Sequence, residues 1–441
     1  MLACADYLKP KIPFLRLITG IVLALVPSAH PSCAAIPGKT ETDQIIRFFQ
    51  AKVAQDPDDY MNFNRLGSAY VQKARESGDL TYYDLAAKSF TKSLELESTQ
   101  EEAAVALVEL GTVFFSEHRF AEALTQAQKA LIHSPGMITA HVMAGDAYLE
   151  IGEYKFAETA YAHLNDAAVK VGNARKYLQA TRMAGLDWIQ GRPSSAVAQM
   201  QSAVEVVDGI HLPAENVAWT HFMLGEQLFQ VGALNTAEKE MQSALRIYPG
   251  YHRALAGLGK IRAARRRFSE AITCYADALA VIPLPSYAAS LGDLYLRTGK
   301  PKEAEKNYTL VEYIGRLGTL NRVVFNRELA MFYADHDREM ATALQLAQKE
   351  LESRHDVYTW DAIAWALTKN GRLREADEAM QKALRLDTQD SLLFFHAGYI
   401  QRQLGKNERA YDYLQRALKI NPEFHVLYAD QARRILAGKA K

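Results

Sequence analysis

Residues 285–308 read PSYAASLGDLYLRTGKPKEAEKNY. Leu291, Gly292 and Tyr295 lie one and then three positions apart, Ala304 stands twelve residues after the glycine, and Tyr308 follows four later. Such spacings are helical, and the Gly and polar residues between the two halves mark a turn. The stretch therefore reads as a helix-turn-helix hairpin. Glycine on the first helix and alanine on the second sit where two backbones approach closely, and the tyrosine fills the space beside them.

The same block recurs along the chain. Leu110-Gly111, Ala144-Gly145, Leu224-Gly225, Leu258-Gly259 and Ala397-Gly398 open similar stretches. Gly111 to Gly145 spans 34 residues, Gly225 to Gly259 34, Gly259 to Gly292 33, and Ala364 to Gly398 34. An alanine twelve residues on recurs as Ala123, Ala157, Ala237, Ala271, Ala376 and Ala410, followed in five of these blocks by Tyr161, Met241, Tyr275, Met380 or Leu414. Pro135, Pro249, Pro283 and Pro422 fall 24 residues after the small residue, where a ring without an amide hydrogen stops the second helix. A fixed period of this length is the mark of a stacked repeat array.

With Trp360 at the first position of block 357–390, and Leu291, Gly292, Tyr295, Ala304 and Tyr308 in block 285–322, the chain resembles the tetratricopeptide repeat family. The resemblance implies an all-α fold: an α-solenoid of about ten hairpins forming a right-handed superhelix. The hairpins start near residues 60, 104, 138, 177, 218, 252, 285, 323, 357 and 391. Four depart from the repeat. The first carries extra residues around Arg75 to Tyr82, the third runs on through Val169 to Asn173, the fourth has Asp187-Trp188 and Ala196 out of step, and the eighth has Ala330 and a late Ala343. The expected organisation is a signal peptide (1–35), a linker (36–42), an N-terminal capping helix (43–57), the array (58–424), and a C-terminal capping helix and tail (425–441). Polar-faced ends are what a repeat array requires.

Lys9, Lys11 and Arg16 precede the apolar run Leu17 to Val26, and small residues follow Pro27 through Ala35, an order that reads as a secretory signal. The run falls short of the roughly 20 residues of a spanning helix, so no stable membrane span is expected. A lipid anchor at Cys33 is the weaker reading, because His30, Pro31 and Ser32 depart from a leucine-led lipobox. The expected location is the periplasm or cell envelope of a bacterium. Only Cys274 lies beyond the signal among the three cysteines, so the body holds no internal disulfide. The 51 basic residues balance 51 acidic ones, and the chain shows no basic stripe for nucleic acid.

No H-E-x-x-H, G-x-S-x-G, C-x-x-C or phosphate-binding glycine loop is present. We therefore expect no catalytic residue, cofactor or metal. Asp335-His336-Asp337 reads as a solvated turn and Cys274 as a small buried hydrophobe. The family's ligand-facing positions lie on first helices, and the resemblance transfers them to Trp219, Phe222, Glu226 and Phe229, and to Tyr358, Asp361, Trp365, Phe395, Tyr399 and Arg402. Arg253 and Lys260 belong to a basic cluster with Arg262, Arg265, Arg266 and Arg267 that suits an acidic segment or forms a solvated face. The aromatics suit an extended peptide or a partner helix, or serve hairpin packing. Asn64 alone fits the family's carboxylate clamp; Thr112, Asp146, Glu226 and Asp293 stand at the matching positions. These readings give an exported scaffold or adaptor for a protein or peptide partner. The alternative is a non-classical enzyme or enzyme subunit whose array holds a polysaccharide or peptide substrate.

Overall fold

Apolar residues at helical spacing produce 22 α-helices among the described residues of the computed structural model, and Pro135, Pro249, Pro283 and Pro422 fall just after four of the second helices. The structure describes residues 41–97, 101–165, 172–320 and 325–438, and no strand occurs among them. Helix α1 (Glu41–Gln55) precedes ten hairpins. The first five are α2 (Tyr60–Ser77) with α3 (Thr81–Leu96), α4 (Glu101–Ser116) with α5 (Phe120–His133), α6 (Ile138–Glu150) with α7 (Tyr154–Ala162), α8 (Asn173–Ile189) with α9 (Pro193–Val207), and α10 (Ala214–Gln230) with α11 (Leu234–Ile247). The rest are α12 (His252–Ala264) with α13 (Phe268–Val281), α14 (Pro285–Arg297) with α15 (Pro301–Leu320), α16 (Asn326–Asp335) with α17 (Met340–Glu350), α18 (Val357–Lys369) with α19 (Leu373–Ala383), and α20 (Ser391–Gln403) with α21 (Asn407–Ile420). Helix α22 (Tyr428–Ala437) closes the array.

Six hairpins begin at the residue the spacing indicates. The second, fourth, fifth and eighth begin instead at Glu101, Asn173, Ala214 and Asn326. The expected signal (1–35), linker residues 36–40, positions 169–171 of the third-hairpin extension and the tail 439–441 lie outside the described residues. No helix among the described residues is long and apolar enough to cross a membrane.

Within each hairpin the repeat residues do what their sizes dictate. The second-helix alanine, including Ala86, Ala196 and Ala343 in the irregular hairpins, is buried in all ten. Phe90, Tyr161, Met241, Tyr275, Tyr308 and Leu414 lie over Gly67, Gly145, Gly225, Gly259, Gly292 and Gly398, and a Cβ added at these glycines would meet them at 2.2 to 2.8 Å. Van der Waals contact of this density leaves no room for a methyl group unless the neighbour moves. The neighbours differ in their freedom to move. The Tyr308 ring is held by its hydroxyl on Asp293 (2.9 Å), whereas Gly225 faces the terminal methyl of Met241.

Every hairpin turn contains a residue with positive φ: glycine at 78, 152, 191, 232, 299, 371 and 405, His118 and Arg266 in two others, and both Asp337 and Glu339 in the eighth. These turns also mark where the superhelix meets itself. The turn at Gly152 faces the His355 carbonyl, the turn at Gly191 faces the Asp387 carbonyl, and the turn at Gly232 faces Ile420 and Asn421. The first two of these turns thus touch the link that opens the hairpin six further on, and the third touches the link that leads to α22. Hydrogen bonds seal this seam: His355 N–H donates to the Glu150 carbonyl (3.1 Å), Val357 N–H to the Tyr154 hydroxyl (3.1 Å), and Trp188 Nε1–H to the Tyr358 hydroxyl (3.1 Å). Arg354, 8% exposed, pairs across the seam with Glu150 at 2.7 Å and along its own helix end with Glu350 at 3.1 Å. Buried charges of this kind persist only when paired. The expected superhelix is therefore closed along its length by contact between successive coils.

Two stability predictions follow from these two contacts. Gly292→Ala drives a methyl into a held ring and should cost about 1–3 kcal/mol. Gly225→Ala should be near neutral, because the Met241 methyl swings away and alanine favours helix by about 0.5–1 kcal/mol. Equal losses in urea unfolding would contradict the packing described. Gly299 and Gly191 share a φ near +73°, but nothing lies within 4 Å of a Cβ at Gly299, while one at Gly191 meets the Asp387 carbonyl at 2.4 Å. Gly299→Ala should cost roughly 1–2 kcal/mol from backbone strain alone, and Gly191→Ala should melt distinctly lower; coincident melting curves would show that the coils do not touch there.

Candidate functional site

Hairpins five to ten make one complete coil, so their first helices, α10, α12, α14, α16, α18 and α20, stand around a common bore. Polar side chains near the repeat glycine join each first helix to a neighbour. Glu226 on α10 takes Lys260 on α12 at 2.6 Å, and that ammonium lies 5.3 Å over the Phe229 ring. Asp293 on α14 accepts from Tyr308 and pairs with His336 Nε2 at 2.7 Å, across to the end of α16. Asp335 on α16 accepts from Trp365 Nε1 on α18 at 2.8 Å. Asp361 on α18 holds His396 Nδ1 on α20 at 2.9 Å, and the His396 ring stacks on Trp365 at 4.2 Å. Burial alone would lower the proton affinity of His336, but the Asp293 carboxylate and the Phe332 carbonyl hold it above the ordinary histidine value.

The bore is occupied by the chain's own end. After α21, Asn421 Nδ2–H donates to the Phe229 carbonyl (2.8 Å). Phe424 and His425 line, together with Lys260 and Asp293, a cavity of ≈130 Å³. The Tyr428 hydroxyl donates to Asp335 (2.6 Å), its ring stacks on Phe395 at 4.5 Å, and it meets the Trp365 ring edge-on at 5.9 Å. Asp430 bonds Arg266 at 3.1 Å and also Arg297. Its carboxyl is held at about 2 by the Arg433 bond, with Arg266 and Arg297 beside it. The segment thus touches all six first helices or the turns they lead into.

The residues transferred from the sequence fall into two groups around this segment, with others apart. Glu226, Phe229 and Lys260 form one wall. Asp361, Trp365, Phe395 and Tyr399 form the other, with Tyr399 edge-on to Trp365 at 5.2 Å. Phe229, Trp365 and Phe395 are at most 2% exposed, so in this structure they pack against their neighbours and the C-terminal segment. Trp219 and Phe222 are half-buried, Phe222 against Tyr251, while Tyr358 lies at the coil seam. Arg253 and Arg402 are exposed, the latter reaching Asn407.

The basic cluster is neutralised from within. Arg262 and Arg265 share Glu238, Arg267 takes Glu270, and Arg266 takes Asp430 of the C-terminal segment. Asp335-His336-Asp337 is only partly the solvated turn expected. Asp337 is exposed and pairs with Lys369, but Asp335 and His336 turn inward, because each is bonded to another first helix. No group of three or more His, Cys, Asp or Glu able to hold a metal occurs among the described residues. Cys274 is partly buried, and burial pushes its thiol up to about 11. The roles of Asp335, His396, Tyr428 and Asp430 escaped the sequence reading. The repeat-glycine position signalled Asp293 through its equivalence to Glu226, but residues after the last repeat carry no period to place them.

Residues 256–313 and 362–423 match the family described as tetratricopeptide repeat. Among curated proteins none matches the chain. Similar solved structures include yeast Tom70 (14% identity over 86% of this chain and 96% of that one, TM-score 0.32). A tetratricopeptide repeat protein from Parabacteroides merdae is 17% identical over 58% and 93%, TM-score 0.38. YrrB, a TPR protein with an unusual peptide-binding site, is 23% identical over 45% and 94%, TM-score 0.29.

Buried polar links between first helices make stability depend on pH. His252 on α12 is 7% exposed and shares a hydrogen bond with the Tyr287 hydroxyl on α14 (2.8 Å). Burial, with Arg253 beside it, drives its pKa down to about 3; His118, buried near Arg354, falls to about 4. Between the ordinary value of 6.5 and these values only the unfolded chain takes the proton, so stability present above pH 6.5 is lost as pH falls. Melting temperature should decline from pH 6.5 to 4, with a shallower slope in His252→Gln. An unchanged slope would remove His252 from the transition.

Proposed function

We propose that this tetratricopeptide repeat protein is an exported scaffold that holds a peptide or protein segment along the inner wall of its first helices. The observation carrying the proposal is the seating of an irregular segment against six successive first helices. That wall grips a backbone-proximal amide, two aromatic rings and a carboxylate at once. Such a surface reads a short segment by shape and charge rather than transforming it: aromatics supply area at low entropic cost, and paired arginines orient an acid. The balanced net charge leaves recognition to these local groups.

Export rests on the order Lys9, Lys11, Arg16, the apolar run Leu17 to Val26, and the small residues up to Ala35. Placement in a bacterial cell envelope follows from that reading. Cell fractionation with N-terminal sequencing checks it: a mature chain starting close to Ala35 supports soluble export, and an unprocessed cytoplasmic chain refutes it.

Binding is tested with a displayed library of random peptides and with envelope extracts, using an unrelated repeat array as the control. Enrichment of a defined sequence pattern is expected. Tyr399→Ala, half-buried on α20 beside Trp365, should weaken that binding about tenfold with little change in melting temperature. Absence of enrichment over the control array, in both assays, would end the scaffold reading.

A further inference from the structure

We propose that the segment from Asn421 to Asp430 is a displaceable internal ligand, and that the partner carries the same pattern. That pattern is an aromatic residue, a tyrosine four positions on and an acid two further, at a turn entering a helix. The inference rests on the scaffold reading above and names the chemistry of its ligand.

A helix that only covered the last hairpin would touch α20 and α21 alone. This segment packs on both and also crosses the bore. Asn421 reaches α10, Tyr428 reaches α16 and α18, and Asp430 bonds Arg266 and Arg297 at the turns after α12 and α14. Its contacts are of the kind used for a bound peptide: a side-chain amide on a main-chain carbonyl, rings in aromatic slots, and an acid between arginines. The fit is incomplete. A partly open pocket of ≈130 Å³ remains between the wall and Phe424 and His425, so the segment leaves part of the wall uncovered. The ion pairs of Asp430 are partly exposed, with side chains of Arg266 and Arg297 52% and 29% accessible, so each holds weakly. Covalent attachment compensates, since a tethered segment competes at an effective concentration of about millimolar. A free partner meets a closed bore until the segment swings out.

The test uses the full mature chain, as wild type and as the Tyr428→Ser/Asp430→Arg variant, titrated with a fluorescent synthetic peptide of residues 421–438. Loosening the internal copy should raise affinity for the peptide at least tenfold. The same peptide carrying Asp430→Arg should lose that gain, and a chain carrying Tyr428→Ser with Arg266→Glu/Arg297→Glu, its own Asp430 retained and now repelled, should bind the reversed peptide. Should the double variant fail to fold, Asp430→Asn alone is titrated, with hydrogen exchange of α22 followed as wild-type chain meets excess peptide; faster exchange supports displacement. A folded variant that binds the peptide no better than wild type overturns the proposal. Library peptides that bind wild type and variant equally well sink the internal ligand while leaving the scaffold reading intact. Peptide 421–438 binding only the loosened chain upholds the internal ligand even where the library yields nothing.

Discussion

The close seating of a bulky side chain over a backbone that lacks a Cβ underlies the rest of the molecule. Tyr308 over Gly292, Tyr275 over Gly259 and Phe90 over Gly67 set how near the two helices of a hairpin lie. That distance fixes the hairpin's width, and stacking hairpins of one width fixes the curvature of the array. Small errors would multiply along ten hairpins. The buried alanine in every second helix serves the same end, since a larger residue would wedge each pair open.

Curvature of this tightness brings the coils into contact, and the contact changes what the inner surface can be. The turns at Gly152 and Gly191 approach the carbonyls of His355 and Asp387 so closely that a side chain could not be accommodated. With the seam sealed by hydrogen bonds and by the Arg354–Glu150 pair, the first helices enclose a bore instead of facing an open groove. Access then runs along the axis, and whatever fills the axis governs access.

Within the bore, first helices exchange polar contacts with their successors: Glu226 with Lys260, Asp293 with His336, Asp335 with Trp365, Asp361 with His396. Satisfied in pairs, these groups are tolerable in a poorly hydrated interior. They also present spare acceptor capacity. Asp335 accepts from both Trp365 and Tyr428. A wall built from shared acceptors can therefore take an additional donor from a seated segment without leaving its own groups unpaired.

Hairpins, their number, the glycine and alanine contacts and the helix stops were legible in the sequence, because each depends on residues within one repeat. Helical period, side-chain volume and proline act locally, and local physics is written at fixed spacing. The aromatics Trp365 and Phe395 were legible as inner-wall residues for the same reason, but not their burial. What covers them is Tyr428, 63 and 33 positions later and beyond the last repeat, where no period remains to read. The coil seam escaped likewise, since it joins residues such as Glu150 and His355 through the summed rotation of six hairpins. No single repeat contains that angle; it exists only once all of them are stacked, and so the tertiary structure alone decided that the wall closes on itself and that the chain's own end lies inside.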